Sequence, residues 1–320
     1  MIGGVGVTEL DRRSRCGPSM GGRLEIHIAC PPESVDRAQR DADLVWQRVE
    51  AWAARLTRFD AASDLSRLNA GRACRVSLRP TLAAVLAWAD RAGEISDGIV
   101  DVGMLDARLA AEAGADRGPD ADTGDRATLE QRGWHLERHP RGAWLQRTAA
   151  LHLDLDGVAK GWLADRALAR LGRHRGAIVD ADGDIALHAG REVEWLVGVA
   201  DPREPDAPDL ATFRVGGEGM AVTSGIATSG TTVHRWRHQD GATAHHLIDP
   251  RTRRPALTDV VQATVLASSA RAAEVYAKSA VIVGSQEGFG LLERARVDAA
   301  VLLLGSGEVL ALPQTLRWLA

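Results

Sequence analysis

The chain has 320 residues with 39 basic and 43 acidic side chains, a net charge of −4 and a sequence pI near 6.2. This net negative charge does not indicate the basic surface that a nucleic-acid-binding protein needs, and no apolar run is long enough to span a membrane. A hydrophobic content of 45% and a charged content of 26% are typical of a globular protein. Only two basic residues are lysines, Lys160 and Lys278. In a chain so rich in arginine, each lysine is present either by chance or because its position needs a compact ammonium and not a planar guanidinium.

The amino-terminal region carries charges where a signal peptide would have its apolar stretch, so we expect no signal peptide and a cytoplasmic protein. Three cysteines, Cys16, Cys30 and Cys74, are odd in number and far apart. They suit a reducing compartment and show no metal-ligand spacing. Residues 1–19 are predicted to be a flexible tail, followed by one domain at 20–320.

Hydrophobic periodicity and turn residues predict helices alternating with strands. In chain order we expect a strand at 23–30, helices at 34–56 and 80–96, an exposed loop at 113–127, a hairpin from 134–139 and 143–148, a helix at 157–171, strands within 176–199, a proline-rich loop at 201–209, strands within 210–267, helices at 268–284 and 285–293, a strand at 298–305 and a closing helix or coil. This order predicts a single α+β domain with mixed sheets flanked by helices. It contains no Walker or dinucleotide-binding glycine motif.

The sequence LDLDGVAKGWLAD (153–165) joins a strand that ends in Asp154 and Asp156 to a helix that begins near Lys160. A helix amino terminus beside glycines offers amide donors to an anion, and a lysine adds a positive charge. A helix cap with a solvated lysine is the alternative. In AIVDADGDIALH (177–188), three aspartates surround a glycine, which indicates either ligand binding or a hairpin turn.

Three later stretches also combine polar groups. In AVTSGIATSGTT (221–232), small hydroxyl residues could contact a phosphate or form a plain turn. In HHLIDPRTRRP (245–255), His246 beside Asp249 indicates an oriented base or a turn of solvated charges. Glu274 and Lys278, four residues apart, suit an ion pair on a helix surface.

Together these stretches resemble the ApbE family, the FAD:protein FMN transferases. LDLDGVAKGWLAD resembles that family's DLGGIAKGYAxD motif, TSG followed by HLIDPRT resembles its TSG…HIIDPxTG, and 261–284 resembles its TVxA…ADALATALFVLG. Upstream, Met20-Gly21, RFDAASDLSRLN (58–69) and DGIVDVG (97–103) are similar to its MGT, SxY…SELSRLN and GAFDxTVG. The pieces keep their order from about residue 20 to 310, and the single asparagine, Asn69, falls inside one of them.

The resemblance implies a T-fold-like α+β domain that binds FAD, with Phe59 stacking on a ring and Lys160 meeting phosphate. It also implies that His246, oriented by Asp249, helps deprotonate the hydroxyl that attacks the FMN-side phosphorus. The implied cofactor-binding residues are Met20, Phe59, Ile99, Val100, Asp101, Asp154, Lys160, Thr228, Ser229 and Gly230.

The resemblance further implies Mg²⁺ beside the pyrophosphate, at positions that here are the Gly157 carbonyl, Glu274 and Lys278. A charged lysine has no lone pair to give to a metal. Either the Lys278 ammonium replaces the ion, or Mg²⁺ moves to Glu274, water and phosphate. Asp156, Asp182 and Arg253 stand where the family usually has glycines.

The implied partner is an acceptor flavoprotein with a Ser or Thr acceptor, and a homodimer is left open. The sequence leaves two other functions open: an FAD-binding protein without transferase activity, and an FAD pyrophosphatase that releases FMN and AMP. The altered metal pair favours the first of these, whereas His246 and the TSG sequence favour transfer.

Overall fold

The structure is a computed structural model that describes residues 2–3, 10–114, 133–140, 142–217, 219–237 and 243–320. Its helices are α1 (Val35–Leu56), α2 (Asp64–Ala70), α3 (Pro80–Ile95), α4 (Leu105–Glu112), α5 (Ala159–Leu168), α6 (Ala270–Val283) and α7 (Ser285–Ala295). None of these helices is long and apolar enough to cross a lipid bilayer.

The largest sheet within the described residues has eight strands, and all its neighbours pair antiparallel. The strands of all the sheets in the described residues are β1 (Ile2–Gly3), β2 (Asp11–Ser19), β3 (Gly22–Cys30), β4 (Arg75–Leu78), β5 (Trp134–His139), β6 (Gly142–Arg147), β7 (Gly176–Ala181), β8 (Asp184–Ala189), β9 (Glu194–Val199), β10 (Ala211–Gly216), β11 (Val222–Gly230), β12 (Arg235–Arg237), β13 (Thr243–His245), β14 (Ile248–Asp249), β15 (Arg254–Pro255), β16 (Val260–Ala267), β17 (Ala299–Leu304) and β18 (Val309–Ala311). The large sheet has the order β18-β17-β16-β11-β8-β7-β3-β2. The other sheets of the described residues are two three-stranded ones, β1-β9-β10 and β4-β6-β5, and two two-stranded ones, β12-β13 and β14-β15.

The central strands β7, β8 and β16 of the large sheet are buried on both faces. On one face Leu24, Ile26 and Ile28 of β3 belong to a core shared with α1 and α5. On the other face a second core contains Trp195 of β9 and Phe213 of β10, so the sheet β1-β9-β10 covers that side. The result is the predicted α+β arrangement, a sheet with helices on one face and a smaller sheet on the other.

Helix α6 begins in a very narrow space between α5 and β11. A Cβ added to Gly161 of α5 would lie 2.7 Å from the Cα of Arg271, and one added to Gly225 of β11 would lie 1.9 Å from the backbone nitrogen of Ala270. Only glycine permits such close approach of backbones. The Asp165 carboxylate accepts hydrogen bonds from the first amides of α6, those of Ala270 and Arg271. The glycine and aspartate of AKGWLAD therefore place α6 against α5.

The prediction of a tail at residues 1–19 was wrong for Asp11–Ser19, which is strand β2 at the edge of the large sheet. Its charged and small residues hid the strand, and charged side chains are a common feature of exposed sheet edges. Residues 1 and 4–9 lie outside the described residues, as does most of the predicted loop at 113–127. The structure confirms the predicted helices at 34–56, 80–96 and 268–284 and the predicted hairpin at 134–148. The observed ends of these elements differ from the predicted ends by no more than two residues. Helices α2 and α4 and strand β4 were not predicted.

Candidate active site

A cavity of about 520 Å³ opens beside the first turn of α5. Its walls come from the turn at Met20, the segment after α1 that contains Phe59, Asp154 and Asp156, and Lys160 of α5. The Phe59 side chain is 82% exposed. An exposed aromatic ring at a cavity edge gives a flat ring of a ligand a surface on which to stack.

A second, smaller cavity of about 60 Å³ lies next to the first, and Asp154 and Asp156 line both cavities. Its other walls include the sequence-predicted residues Ile99, Val100, Asp101, Gly157, His246 and Lys278. The Asp101 carboxylate also accepts a hydrogen bond from the Gly103 amide at 2.8 Å, which fixes the start of the turn before α4. Motifs that lie far apart in the chain are thus brought together around one pair of cavities.

Lys160 extends from α5 toward the turn between β7 and β8. Its Nζ is 3.6 Å from a carboxylate oxygen of Asp182 and 3.6 Å from one of Asp184. Burial by itself would lower the pKa of Lys160, but the carboxylates of Asp184 and Asp156 raise it above its ordinary value. Lys160 therefore remains a charged donor at the edge of the larger cavity.

Lys278 points into the smaller cavity, onto the Gly157 turn. A Cβ added to Gly157 would lie 2.1 Å from the Lys278 Nζ and 3.1 Å from its Cε. In the part of the chain that the structure describes, no carboxylate oxygen lies within 4.0 Å of this Nζ, so Lys278 forms no ion pair there. Burial would raise the pKa of Asp156, but Lys278 and Arg108 hold it below its ordinary value. The surface ion pair considered between Glu274 and Lys278 is not formed.

Glu274 is 2% exposed and lies where α6 meets α5. Its Oε2 accepts a hydrogen bond from the Gly161 amide at 3.0 Å, whereas its Oε1 is buried with no hydrogen-bond partner among the described residues. Burial, reinforced by the nearby Asp184 carboxylate, raises the pKa of Glu274 well above its usual range. Burial likewise raises the pKa of Asp184. Both carboxyls need positive charge nearby to ionise.

These residues do not fit a magnesium site of the implied kind. Mg²⁺ requires oxygen ligands in near-octahedral geometry, and one implied position holds an ammonium, which has no lone pair. The only group of three or more His, Cys, Asp or Glu donors close enough to share an ion, among the described residues, lies elsewhere, on the β2–β3 hairpin. The unpartnered Oε1 of Glu274 does mark a place for a cation, and Lys278 lies one helical turn further along α6.

His246 lines the smaller cavity, but the structure contradicts its predicted orientation by Asp249. The Asp249 carboxylate binds the Arg251 guanidinium through Nε at 3.0 Å and Nη2 at 2.9 Å. The His246 Nδ1 is buried and has no hydrogen-bond partner among the described residues. The ring lies edge-on to His234, with centroids 5.3 Å apart. The reason is local: a two-residue Asp–Arg contact closes the turn after β14 and uses the carboxylate.

The His246 imidazole is held in its neutral form. Burial, together with the positive charge of Lys278, lowers the pKa of His246 to about 3. A neutral imidazole has a lone pair that can accept a proton, but a pKa this low makes it a weak base until a bound anion offsets the positive charge of Lys278. The site thus contains a candidate base beside a fixed ammonium.

Arg108 is a site residue that the sequence did not indicate. It is 8% exposed, and its Nη1 donates to Asp154 at 2.8 Å and to Asp156 at 2.6 Å. Its Nε donates to Glu112, four residues along α4, at 3.2 Å. Burial opposes the charge, but Asp154 and Asp156 raise the pKa of Arg108. The only sequence signal was an Arg–Glu pair at helical spacing, which is common on helix surfaces.

Thr228, Ser229 and Gly230 end strand β11 beside the turn between β7 and β8, outside the walls of both cavities. The Thr228 amide donates to the Gly183 carbonyl at 3.2 Å, and the Thr228 hydroxyl is 2.9 Å from that of Thr264. The TSG sequence thus borders the acidic turn that holds Lys160.

The fold and the two adjoining cavities define an α+β protein with a cleft lined by an aromatic ring, ammonium groups and carboxylates. The sequence profile of the ApbE family matches residues 20–303, so the chain belongs to this family.

Individual relatives agree with that membership. The chain is 32% identical over 164 residues to the FAD:protein FMN transferase of Treponema pallidum, covering 47% of this chain and 43% of that protein. It is 26% identical over 171 residues to the FAD:protein FMN transferase of Klebsiella pneumoniae, covering 52% and 51%. The matches thus span about half the length of these curated relatives.

Solved structures show the same fold over nearly the whole chain. The flavin transferase ApbE from Vibrio cholerae superposes with a TM-score of 0.73 at 22% identity, covering 97% of this chain and 99% of that one. The ApbE protein from Thermotoga maritima has a TM-score of 0.76 at 16% identity, covering 96% and 99%. The α+β prediction is confirmed.

Proposed function

We propose that this chain transfers the FMN part of FAD to a Ser or Thr hydroxyl of a partner flavoprotein and releases AMP. The observation that carries the proposal is the placement of Phe59, Lys160, Lys278 and His246 around two cavities that share Asp154 and Asp156. Stacking on Phe59 holds a ring of FAD, and the ammonium groups face its pyrophosphate. The names of the matched relatives support the same activity.

In the proposed reaction, the acceptor oxygen attacks the FMN-side phosphorus and forms a new P–O bond. The P–O bond of the pyrophosphate to the AMP phosphate breaks, and AMP leaves with that bonding pair. The acceptor proton passes to His246, whose ring is neutral before the step. Because Asp249 is bound by Arg251, we assign orientation of His246 to the walls of the cavity rather than to Asp249.

We also propose that the Lys278 ammonium supplies the positive charge that Mg²⁺ would supply at this position. Two observations support this: the Nζ of Lys278 lies directly against Gly157, and the Oε1 of Glu274, one helical turn away, is buried without a hydrogen-bond partner among the described residues. A fixed charge of +1 stabilises a phosphate less than a divalent ion does, so transfer should be slow but should not require metal.

The test incubates the purified protein with FAD and candidate acceptor flavoproteins, with Mg²⁺ or with EDTA. Covalent flavin on an acceptor, with one AMP released for each, supports transfer. Free FMN and AMP without labelled acceptor indicate a pyrophosphatase, and bound intact FAD indicates a binding protein. His246→Asn should abolish labelling, whereas the matched variant Asp249→Asn should retain it. A cytoplasmic location and a homodimer stay predictions.

A further inference from the structure

Four side chains of the β2–β3 hairpin lie on one face, away from the core under α1. In the antiparallel register Cys16 is directly opposite Glu25, and Ser14 is directly opposite His27. Directly opposed residues point to the same side of a sheet. Leu24, Ile26 and Ile28 point to the other side, into the core. The sulfur of Cys16, a carboxylate oxygen of Glu25 and a ring nitrogen of His27 all lie within 4.8 Å of one another.

The spacing of these donor atoms is close to that around a tetrahedral metal. Glu25 Oε2 is 3.0 Å from His27 Nε2 and 3.9 Å from Cys16 Sγ. Zinc bonds of about 2.0–2.3 Å give neighbouring ligand atoms roughly 3.3–3.8 Å apart in a tetrahedron. Small side-chain rotations would therefore bring the three atoms onto one ion, and the backbone of the hairpin would not need to move.

The remaining polar atoms of these side chains already have partners. His27 Nδ1 is 2.7 Å from the Ser14 hydroxyl, and Glu25 Oε1 is 2.6 Å from Arg23 Nε. Metal-binding histidines and carboxylates usually have their second polar atom held in this way, which fixes the orientation of the ligand. Asp180 lies directly opposite Glu25 on β7 and adds negative charge on this face.

We propose that Cys16, Glu25 and His27 form a binding site for a zinc-class divalent cation, with a fourth position open to water. A thiolate, an imidazole and a carboxylate together suit Zn²⁺ and not Mg²⁺, which prefers oxygen ligands alone. The site is separate from the flavin cleft and does not depend on the proposed function. It lies on the hairpin whose turn, Met20-Gly21, forms part of the larger cavity.

Sequence spacing alone could not reveal this site. Cys16 and Glu25 are nine residues apart in the sequence and meet only because the hairpin pairs them, so the spacing of the cysteines shows no metal-ligand pattern. Cys30 is buried in the core under α1, and Cys74 is exposed outside this hairpin.

The test is titration of the full metal-free chain with Co²⁺, followed by the thiolate-to-cobalt charge-transfer absorption. We expect one equivalent of Co²⁺ to produce this absorption band. Addition of Zn²⁺ should then remove the band, whereas addition of Mg²⁺ should not. Cys16→Ser and His27→Gln should abolish the band, and Ser14→Ala should weaken Co²⁺ binding about 10–100-fold. The matched control Cys74→Ser, at another exposed cysteine, should leave the band unchanged.

Far-ultraviolet circular dichroism establishes whether each variant is folded. Because Cys16 is exposed, we expect its replacement by serine to leave the fold intact. Absence of the band in the wild type overturns the proposal. Survival of the band in folded Cys16→Ser, or its loss in Cys74→Ser, overturns it equally. Glu25→Gln, which keeps the shape of the side chain, provides an independent measurement and should weaken Co²⁺ binding at least tenfold.

Discussion

Asn69 forms two hydrogen bonds with the backbone of one residue, Leu153. Its Nδ2 donates to the Leu153 carbonyl at 2.8 Å, and the Leu153 amide donates to its Oδ1 at 2.9 Å. Leu153 is fully buried and directly precedes Asp154 of the cleft. A side-chain amide offers one donor and one acceptor in this geometry. The only asparagine of the chain thus ties the end of α2 to the segment that carries the cleft carboxylates.

Replacing Asn69 with Leu should destabilise the protein by about 1–3 kcal/mol, because two buried backbone groups of Leu153 would lose their partners. Urea unfolding measures the loss. Asn69→Asp keeps the acceptor for the Leu153 amide but loses the donor, so it separates the two hydrogen bonds. An unchanged unfolding free energy in Asn69→Leu would contradict the structural role.

Gly157→Ala should displace the Lys278 ammonium without removing it. The new methyl would occupy the position 2.1 Å from Nζ, and the flexible lysine is the group that can move. We expect FAD affinity to fall about tenfold, or ~1.4 kcal/mol, with little change in stability. FAD fluorescence titration measures the affinity. Gly172→Ala, where the nearest atom to an added Cβ is 4.0 Å away, is the control.

The low pKa of His246 makes a prediction about acid stability. Between the ordinary histidine pKa near 6.5 and the folded value of about 3, the unfolded chain binds a proton at this position and the folded chain does not. Stability is therefore lost as the pH falls through this window, at up to about 1.4 kcal/mol per pH unit for one proton.

His246→Asn should reduce this slope of unfolding free energy against pH, measured by urea unfolding at pH 7, 6, 5 and 4. His135→Asn, at an exposed histidine on β5, is the control. The transfer rate of the wild type should likewise show no inflection from His246 near pH 6.5. A slope identical in wild type and His246→Asn would rule out the buried neutral histidine.

Residues in continuous motifs were predictable, because a strand, a glycine turn and a helix at 153–165 determine their own local geometry. The meeting of Lys278 with Gly157 was also expected, and the structure places its Nζ there. Arg108 was not predictable, since its burial depends on Asp154 and Asp156 arriving from a different segment.

Polar residues proved hardest to interpret from sequence. Asp249 stands near His246 in the chain, yet a stronger local partner, Arg251, takes both of its oxygens. Strand β2 was missed because hydrophobic alternation is weak in a strand whose partners lie on one side only. In both cases the outcome depends on competition between neighbours, which residue spacing does not contain.

Removing the charge of Lys278 gives the sharpest test of the cation in the smaller cavity. With Lys278 intact, FMN transfer should continue in EDTA, and Mn²⁺, a spectroscopic substitute for Mg²⁺, should bind only weakly by electron paramagnetic resonance. Lys278→Met should lose FAD affinity and transfer, because the charge facing the pyrophosphate is gone. Lys278→Asp replaces the ammonium with oxygen donors beside Glu274, so it should bind Mn²⁺ tightly and make any remaining transfer metal-dependent. Arg294→Gln, at an exposed position on α7, controls for loss of one positive charge. Tight Mn²⁺ binding by the wild type together with complete inhibition by EDTA would show that a metal ion, and not Lys278, supplies the charge.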